Sequence, residues 1–308
     1  MSEAAPLNLP APRSAHVTLQ FRLEAMLFHA AMGVFSALGP DRASALGGWI
    51  GRHIGTRLRG VTKRGVHNLK AAFPEKSDTE INAIVADVWE NLGRTAAEYA
   101  HLDAFHPFED GGRVAVEGAE RLRQICASGK PAVFVTAHYA NWEVMAIMLS
   151  RSGLKFGFVY RAANNPLVDR EIIERRNAVT TAVQIPKGKR GGRALLEVMR
   201  KGHSIAMLVD QKLNDGIRVP FMGRDAMTPP AAARMALKFN APVIPLAIER
   251  VKGATFVAKV KDPIPFEPTG DRNEDIRLLT TKVNEALEDQ IRSRPGEWLW
   301  LHRRWPRD

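Results

Sequence analysis

From residue 131 onward, short apolar runs alternate with amphipathic stretches. Residues 131–137, Pro-Ala-Val-Phe-Val-Thr-Ala, are brief, apolar and β-rich, which predicts a buried strand. Residues 155–160, 204–209, 243–248 and 255–260 carry the same signature. Helical spacing is expected over 144–149, 165–177, 191–201, 229–240 and 276–293. Asn141 is an acceptable cap ahead of the first of these. The second is entered through Pro166, and the fourth is capped by Thr228 with two prolines at its start. Strands alternating with helices predict an α/β fold with a mixed, mainly parallel central sheet flanked by helices on both faces. No internal repeat is visible.

Ahead of residue 131 the rhythm is helical. Residues 1–18 contain Pro6, Pro10 and Pro12 without periodicity and are expected as a mobile tail. Residues 25–39 are free of formal charge and stop at Pro40. A helix there is about 22 Å long, short of the roughly 20 residues that span a bilayer. It can be a buried core helix or a membrane-embedded or interfacial one; a cleavable signal peptide fits less well, with Pro40 directly after the cleavage region. Residues 43–54 continue the apolar character, with Trp49 and the basic Arg52, His53 and Arg57, a composition that suits an interface. A basic stretch over 59–73 ends at Pro74. Ser77 or Asp78 then caps a helix to about residue 99, whose core face is Ile81, Ile84, Val85, Val88, Trp89 and Leu92. The expected division is a tail over 1–18, a membrane-associated helical segment over 19–57 and a globular domain over 58–308.

The net charge of +11 and pI of about 10.0 favour anionic partners: nucleic acid, anionic lipid or an acidic carrier protein. A single cysteine, Cys126, excludes an intrachain disulfide framework. Zinc-ligand spacings, phosphate-binding Gly-x4-Gly-Lys loops and Gly-x-Ser-x-Gly elbows are absent from the sequence.

Candidate chemistry gathers where the first strand ends. His138 and Glu143 stand in His-x4-Glu spacing. On a continuous helix five residues advance about 140° past a full turn, so these side chains meet only across a strand–turn–helix junction. A carboxylate there can hold one imidazole nitrogen and leave the other free to take a proton. Tyr160-Arg161 closes a strand and is followed by Asn164; an arginine at the C-terminal end of an α/β strand lies where such folds bind ligands and suits phosphate or an oxyanion. Residues 187–193, Lys-Gly-Lys-Arg-Gly-Gly-Arg, are basic and glycine-rich ahead of a helix, as a phosphate loop or a plain solvated loop. Asp210-Gln211 ends another strand, where Asp210 can orient a base or a substrate group. Residues 298–305 interleave tryptophan with basic side chains, which suits base stacking or a membrane interface.

Together these segments resemble the lipid A biosynthesis lauroyl/myristoyl acyltransferase family, within the His-x4-Asp/Glu glycerolipid acyltransferases. The likeness runs from about residue 58 onward. It rests on His138–Glu143, on Asn68-Leu69-Lys70-Ala71-Ala72-Phe73-Pro74 and Asn91-Leu92-Gly93-Arg94, on Tyr160-Arg161 and Asp210-Gln211, on Phe221-Met222-Gly223 with Ala226, Thr228 and Pro229, and on the terminal Trp/Arg segment. The 68–74 and 91–94 segments are expected to be structural. The resemblance implies a glycerophosphate acyltransferase-like sheet and transfer of a fatty acyl group from acyl carrier protein to a hydroxyl of a 3-hydroxyacyl chain on a lipid A precursor. His138 would be the general base and Glu143 its orienting acid. Tyr160, Arg161, Asn164, Asp210, Gln211, Phe221, Gly223 and Thr228 would contact substrate, with the Phe221 loop against the acyl chain. It implies no metal or cofactor, and anionic lipids of the bacterial inner membrane as surroundings, with the catalytic domain on the cytoplasmic face. The His-x4-acid core also serves other lipid acceptors, namely glycerophosphate, lysophospholipid, ornithine lipid or mannoside. A basic nucleic-acid-binding protein using residues 59–64 and the terminal Trp/Arg segment is the rival outside enzymes; no nucleic-acid partner is expected on the family reading.

Overall fold

The computed structural model describes residues 17–306. All but the last two residues of the tail expected over 1–18 therefore lie outside the described residues. Thr18 caps helix α1 (Leu19–Leu38), its hydroxyl accepting from the Phe21 N–H. The cap sits ahead of the uncharged core of the segment, so the helix has 20 residues rather than the 15 expected. It is about 30 Å long, enough to cross a bilayer. Its mean hydropathy is 1.3, and within it only Met32 is buried.

Helix α2 (Pro40–Ile54) lies against α4 (Asp78–Glu98), with α3 (Arg59–Ala72) between them in sequence. Glycines set the closeness of that crossing. A Cβ on Gly47 would stand 2.4 Å from the Gly93 carbonyl oxygen, and one on Gly51 would stand 2.0 Å from that of Trp89. Helix α4 begins with a complete capping box between Ser77 and Glu80 and buries Ile81, Val85, Val88 and Trp89, as the periodicity predicts.

The sheet follows: β1 (Val114–Glu117), α5 (Ala119–Ser128), β2 (Val133–Thr136), α6 (Glu143–Arg151), β3 (Phe156–Tyr160), α7 (Pro166–Val179), β4 (Val183–Pro186), α8 (Lys189–Arg200) and β5 (Ser204–Leu208). After them come the hairpin β6 (Ile217–Phe221) and β7 (Arg224–Thr228), then α9 (Ala231–Phe239), β8 (Val243–Lys252), β9 (Thr255–Val260) and α10 (Arg272–Ser293). Seven strands form one sheet in the order β1-β9-β8-β2-β5-β3-β4. Every pairing in it is parallel except β8 with β9, so the sheet is mixed and mainly parallel, as expected. β2 lies at its centre and is buried at all four residues.

Two expectations are corrected here. Thr228 does not cap the following helix: it ends β7, its hydroxyl accepts from the Arg304 guanidinium at 2.7 Å, and α9 starts after Pro230. The stretch around Phe221-Met222-Gly223 is the tight turn of the β6–β7 hairpin rather than an open loop. Met222 and Gly223 both take positive φ, the geometry a two-residue hairpin turn requires.

Candidate active site

The strand register places the site. In the β2–β5 pair Thr136 lies opposite Leu208. His138 and Asp210 each stand two residues further on, at the C-terminal ends of neighbouring parallel strands. There the His138 Nδ1–H donates to Asp210 Oδ1 at 2.8 Å, and the His138 backbone N–H donates to Oδ2 at 3.0 Å. The indole N–H of Trp298 adds a third bond to Oδ2 at 2.8 Å. Burial alone would raise the carboxyl of Asp210, but the charge and hydrogen bonds of His138, with His302 nearby, hold it well below the usual carboxylate range. A charged carboxylate only accepts, so in the neutral ring Nδ1 carries the proton and the lone pair is on Nε2. The His138 side chain as a whole keeps 20% of its exposure. The Gln211 amide lies 3.3 Å from Nε2, and Trp142 packs edge-on against the ring.

Glu143 is elsewhere. Ala140 adopts left-handed backbone (φ +46°) and turns the chain; Asn141 then caps α6 by accepting from the Glu143 N–H at 3.1 Å. Glu143 thus occupies the first helical position, directed toward α7 and the end of α4. Both of its oxygens are engaged by Arg176, at 2.8 and 2.6 Å, and the Tyr99 hydroxyl donates to one of them in a very short bond. The pairing of Glu143 with His138 expected from their spacing is therefore replaced by His138 with Asp210. Burial opposes the charge on Glu143, yet the Arg176 guanidinium keeps its carboxyl below the normal range. Burial likewise works against the charge on Arg176, and Glu143 holds its proton more tightly than usual. Burial and the Glu143 charge push the Tyr99 phenol well up.

The loop between them is clamped from two sides. The Ala140 carbonyl accepts from Asn91 and Thr95 of α4, and the Ala140 N–H donates to the Glu297 carbonyl. Leu299 N–H donates to the His138 carbonyl at 3.1 Å. Asn141 reaches back to Glu98, which is buried in a pair with Arg250. Non-glycine backbone at positive φ persists where surrounding bonds over-determine it, as here. The Asn91 and Asn68 segments are structural, as expected: Asn68 donates to the Trp300 and His302 carbonyls and so fixes the C-terminal segment.

That segment overturns another expectation. Trp298, Trp300 and Trp305 are buried and pack on one another and on Phe221, so they offer neither a stacking surface nor an interfacial belt. The Arg304 guanidinium lies over the Phe221 ring, and burial lowers its pKa to about 10. Phe221 and Thr228 are buried in this cluster, Phe221 against Trp298, which bonds Asp210, and Thr228 against Arg304; Gly223 is at the hairpin tip. Tyr160 is partly buried with Arg176 over its ring, while Arg161 and Asn164 are exposed beside each other, 3.3 Å apart. Sequence reasoning singled out neither Arg176 nor Tyr99, and read Trp298 as part of a stacking or interfacial segment rather than as a partner of Asp210. Arg176 sits in a Glu-Arg-Arg run that reads as a solvated helix face. The register of two apolar runs, each followed by a polar residue, was the available signal for Asp210.

Comparison with known proteins gives a consistent picture. A family model described as bacterial lipid A biosynthesis acyltransferase matches residues 13–307. The chain is similar to lipid A biosynthesis acyltransferase 2 of Shigella flexneri, at 24% identity over 82% of this chain and 80% of that protein. It is similar to the lipid A biosynthesis myristoyltransferase of Escherichia coli K12, at 24% identity over 82% of this chain and 77% of that one. The lauroyltransferase of the same organism matches at 25% identity over 80% of both chains. Superposition on the solved 1-acyl-sn-glycerophosphate acyltransferase PlsC of Thermotoga maritima gives a TM-score of 0.37 at 16% identity, over 80% of this chain and 99% of that one, too distant for its site to be carried across.

Proposed function

The chain belongs to the bacterial lipid A biosynthesis acyltransferase family, and from that premise we propose that it moves a fatty acyl group from acyl carrier protein to a hydroxyl of a 3-hydroxyacyl chain on a lipid A precursor. His138 Nε2 takes the proton of the acceptor hydroxyl as its oxygen attacks the thioester carbonyl. The C–O bond forms, the C–S bond breaks, and the imidazolium returns the proton to the leaving thiolate. Asp210 fixes the tautomer that makes this possible and stabilises the imidazolium, the part an orienting acid plays in a hydrolase triad. No serine or cysteine nucleophile enters, because the acceptor hydroxyl attacks directly, and the chemistry as written calls for no metal or cofactor.

The observation that carries the reading is the setting of His138: one nitrogen bonded to a buried carboxylate 2.8 Å away, the other contacted, among the described residues, by the Gln211 amide alone, on a side chain that keeps 20% of its exposure. Gln211 holds the Nε2 lone pair until the hydroxyl displaces it; its amide is then free to donate to the oxyanion. Glu143 touches no reacting atom on this reading and positions the loop through Arg176 and Tyr99. The uncovered helix α1 supports membrane attachment, and the net charge of +11 suits an acidic carrier and the anionic cytoplasmic face of the inner membrane.

The test is His138→Ala. Acyl transfer is expected to fall on the order of 10² to 10⁴-fold with a cooperative fold and membrane fractionation retained. Near-normal turnover by the folded variant contradicts the assignment. Mass spectrometry of lipid A from a strain lacking the protein should show one secondary acyl chain missing, and its mass identifies the donor chain.

A further inference from the structure

Two cations stand side by side at the same sheet edge with no carboxylate paired to either. Strands β3 and β4 run parallel with Tyr160 opposite Pro186. Arg161 and Lys187 are the next residues on each strand, and adjacent strands lie about 4.8 Å apart. The Lys187 N–H donates to the Tyr160 carbonyl at 2.8 Å, which fixes the two backbones together beyond the last paired residues. Among the described residues neither cation forms an ion pair; Arg161 donates to the Asn164 side-chain Oδ1 at 3.3 Å.

Lys187 is open to solvent, yet enough protein encloses its ammonium to lower its pKa, with Asp210 and Asp215 opposing that shift and Arg161 adding to it. Neither carboxylate neutralises it by contact: Asp210 already accepts three N–H bonds, and Asp215 is exposed. Like charges held on adjacent strand ends repel unless an anion lies between them, and a guanidinium beside an ammonium matches the oxygens of a phosphate.

We propose that Arg161 and Lys187 form a phosphate seat, through which a phosphorylated substrate is held beside the His138–Asp210 pair. In the strand order β2-β5-β3-β4 the seat begins two strands from His138 and ends three away, roughly 10–14 Å along the edge. It therefore grips a phosphate several bonds from the reacting centre. Two molecules of the proposed reaction carry one: the lipid acceptor in its headgroup, and the carrier protein in the phosphodiester of its pantetheine arm. The identity of the bound molecule rests on the acyltransfer reading; the seat itself does not.

The experiment uses the full chain in detergent with His138→Ala to stop turnover, and measures binding of three probes: phosphorylated lipid A precursor, the same lipid with its phosphates removed, and an acyl-phosphopantetheine. Lys187→Met is expected to weaken the phosphate-bearing probe about 10-fold or more, while Lys187→Arg retains most of the affinity. A loss on the phosphorylated lipid that vanishes with the dephosphorylated one assigns the seat to the acceptor. A loss on acyl-phosphopantetheine assigns it to the donor. Lys187→Gln, checked for an unchanged melting temperature, guards against a folding defect. Equal binding of all three probes by the parent, Lys187→Met and Arg161→Met proteins overturns the proposal. Lysine-dependent phosphate binding by a chain that, with His138 present, transfers no acyl group would keep the seat and discard the acyltransfer reading.

Discussion

Two buried carboxylates flank one loop, and they differ in what they hold. Asp210 receives three N–H bonds, one of them from an imidazole whose far nitrogen meets the Gln211 amide at 3.3 Å. Glu143 receives a guanidinium and a phenol, and its partner Arg176 keeps only 11% side-chain exposure. Both are held as anions against a strong burial penalty. The Asp210 side ends in an imidazole, whose second nitrogen can serve as a general base; the Glu143 side ends in a guanidinium, which cannot. The residue five positions from His138 in sequence is thus in the supporting structure, and the one 72 positions away is the partner.

The largest expected effect is on the sealed side. Glu143→Gln leaves the Arg176 charge buried without its counter-ion, which typically costs about 3–5 kcal/mol. Urea unfolding should register that loss, and adding Arg176→Met should recover part of it by removing the stranded charge. If Glu143→Gln keeps its stability and instead abolishes turnover, the two sides have been assigned the wrong way round.

A smaller effect belongs to the Asp210 side alone. His302 lies against the Asp210 carbonyl, and burial lowers its pKa to about 4, with Asp210 pulling the other way. The folded chain therefore resists a proton that the unfolded chain accepts below about 6.5. Its contribution is complete above that pH and is lost as pH falls through 6.5 toward 4, at most about 3 kcal/mol. The Asp210 contribution has a depressed folded pKa and is lost only at lower pH, below the ordinary carboxylate value. Urea midpoints at pH 7.5, 5.5 and 4.5 should show a His302-dependent slope that His302→Gln flattens and Glu143→Gln leaves in place.

The smallest is at Trp298. Trp298→Phe keeps an aromatic ring in the cluster and removes one charge-assisted bond to Asp210, a loss of about 1.5–3 kcal/mol. Turnover should fall with it. A stable, fully active Trp298→Phe protein would make the tryptophan a packing residue only.

Much of the fold was legible because its strands are apolar runs: β2, β3, β5, β8 and β9 fall where hydrophobic patterning puts them. β4 did not, since Val-Gln-Ile-Pro is four residues long at the sheet edge, interrupted by Gln184 and ended by a proline. The β6–β7 hairpin escaped because Arg218, Pro220 and Asp225 break its apolar pattern outside the main sheet. Interleaved tryptophan and arginine has the same composition whether it faces lipid or fills a core; Asn68 and Asp210, distant in sequence, decide for the core. At the site, His138 was legible from its place after a buried strand. Its partner depended on which strand lies beside β2, a non-local fact that a five-residue spacing does not contain.

The most direct measurement is a turnover cycle with His138→Ala, Asp210→Asn and the double variant, each verified as folded. Asp210→Asn should lose on the order of 10² to 10⁴-fold, because the amide can donate to Nδ1 and so favours the tautomer that carries its proton on Nε2. The double variant should be barely slower than His138→Ala, since two groups acting as one unit are not additive. Full turnover by folded Asp210→Asn, or losses that multiply in the double variant, would contradict the pairing of His138 with Asp210 as the centre of catalysis.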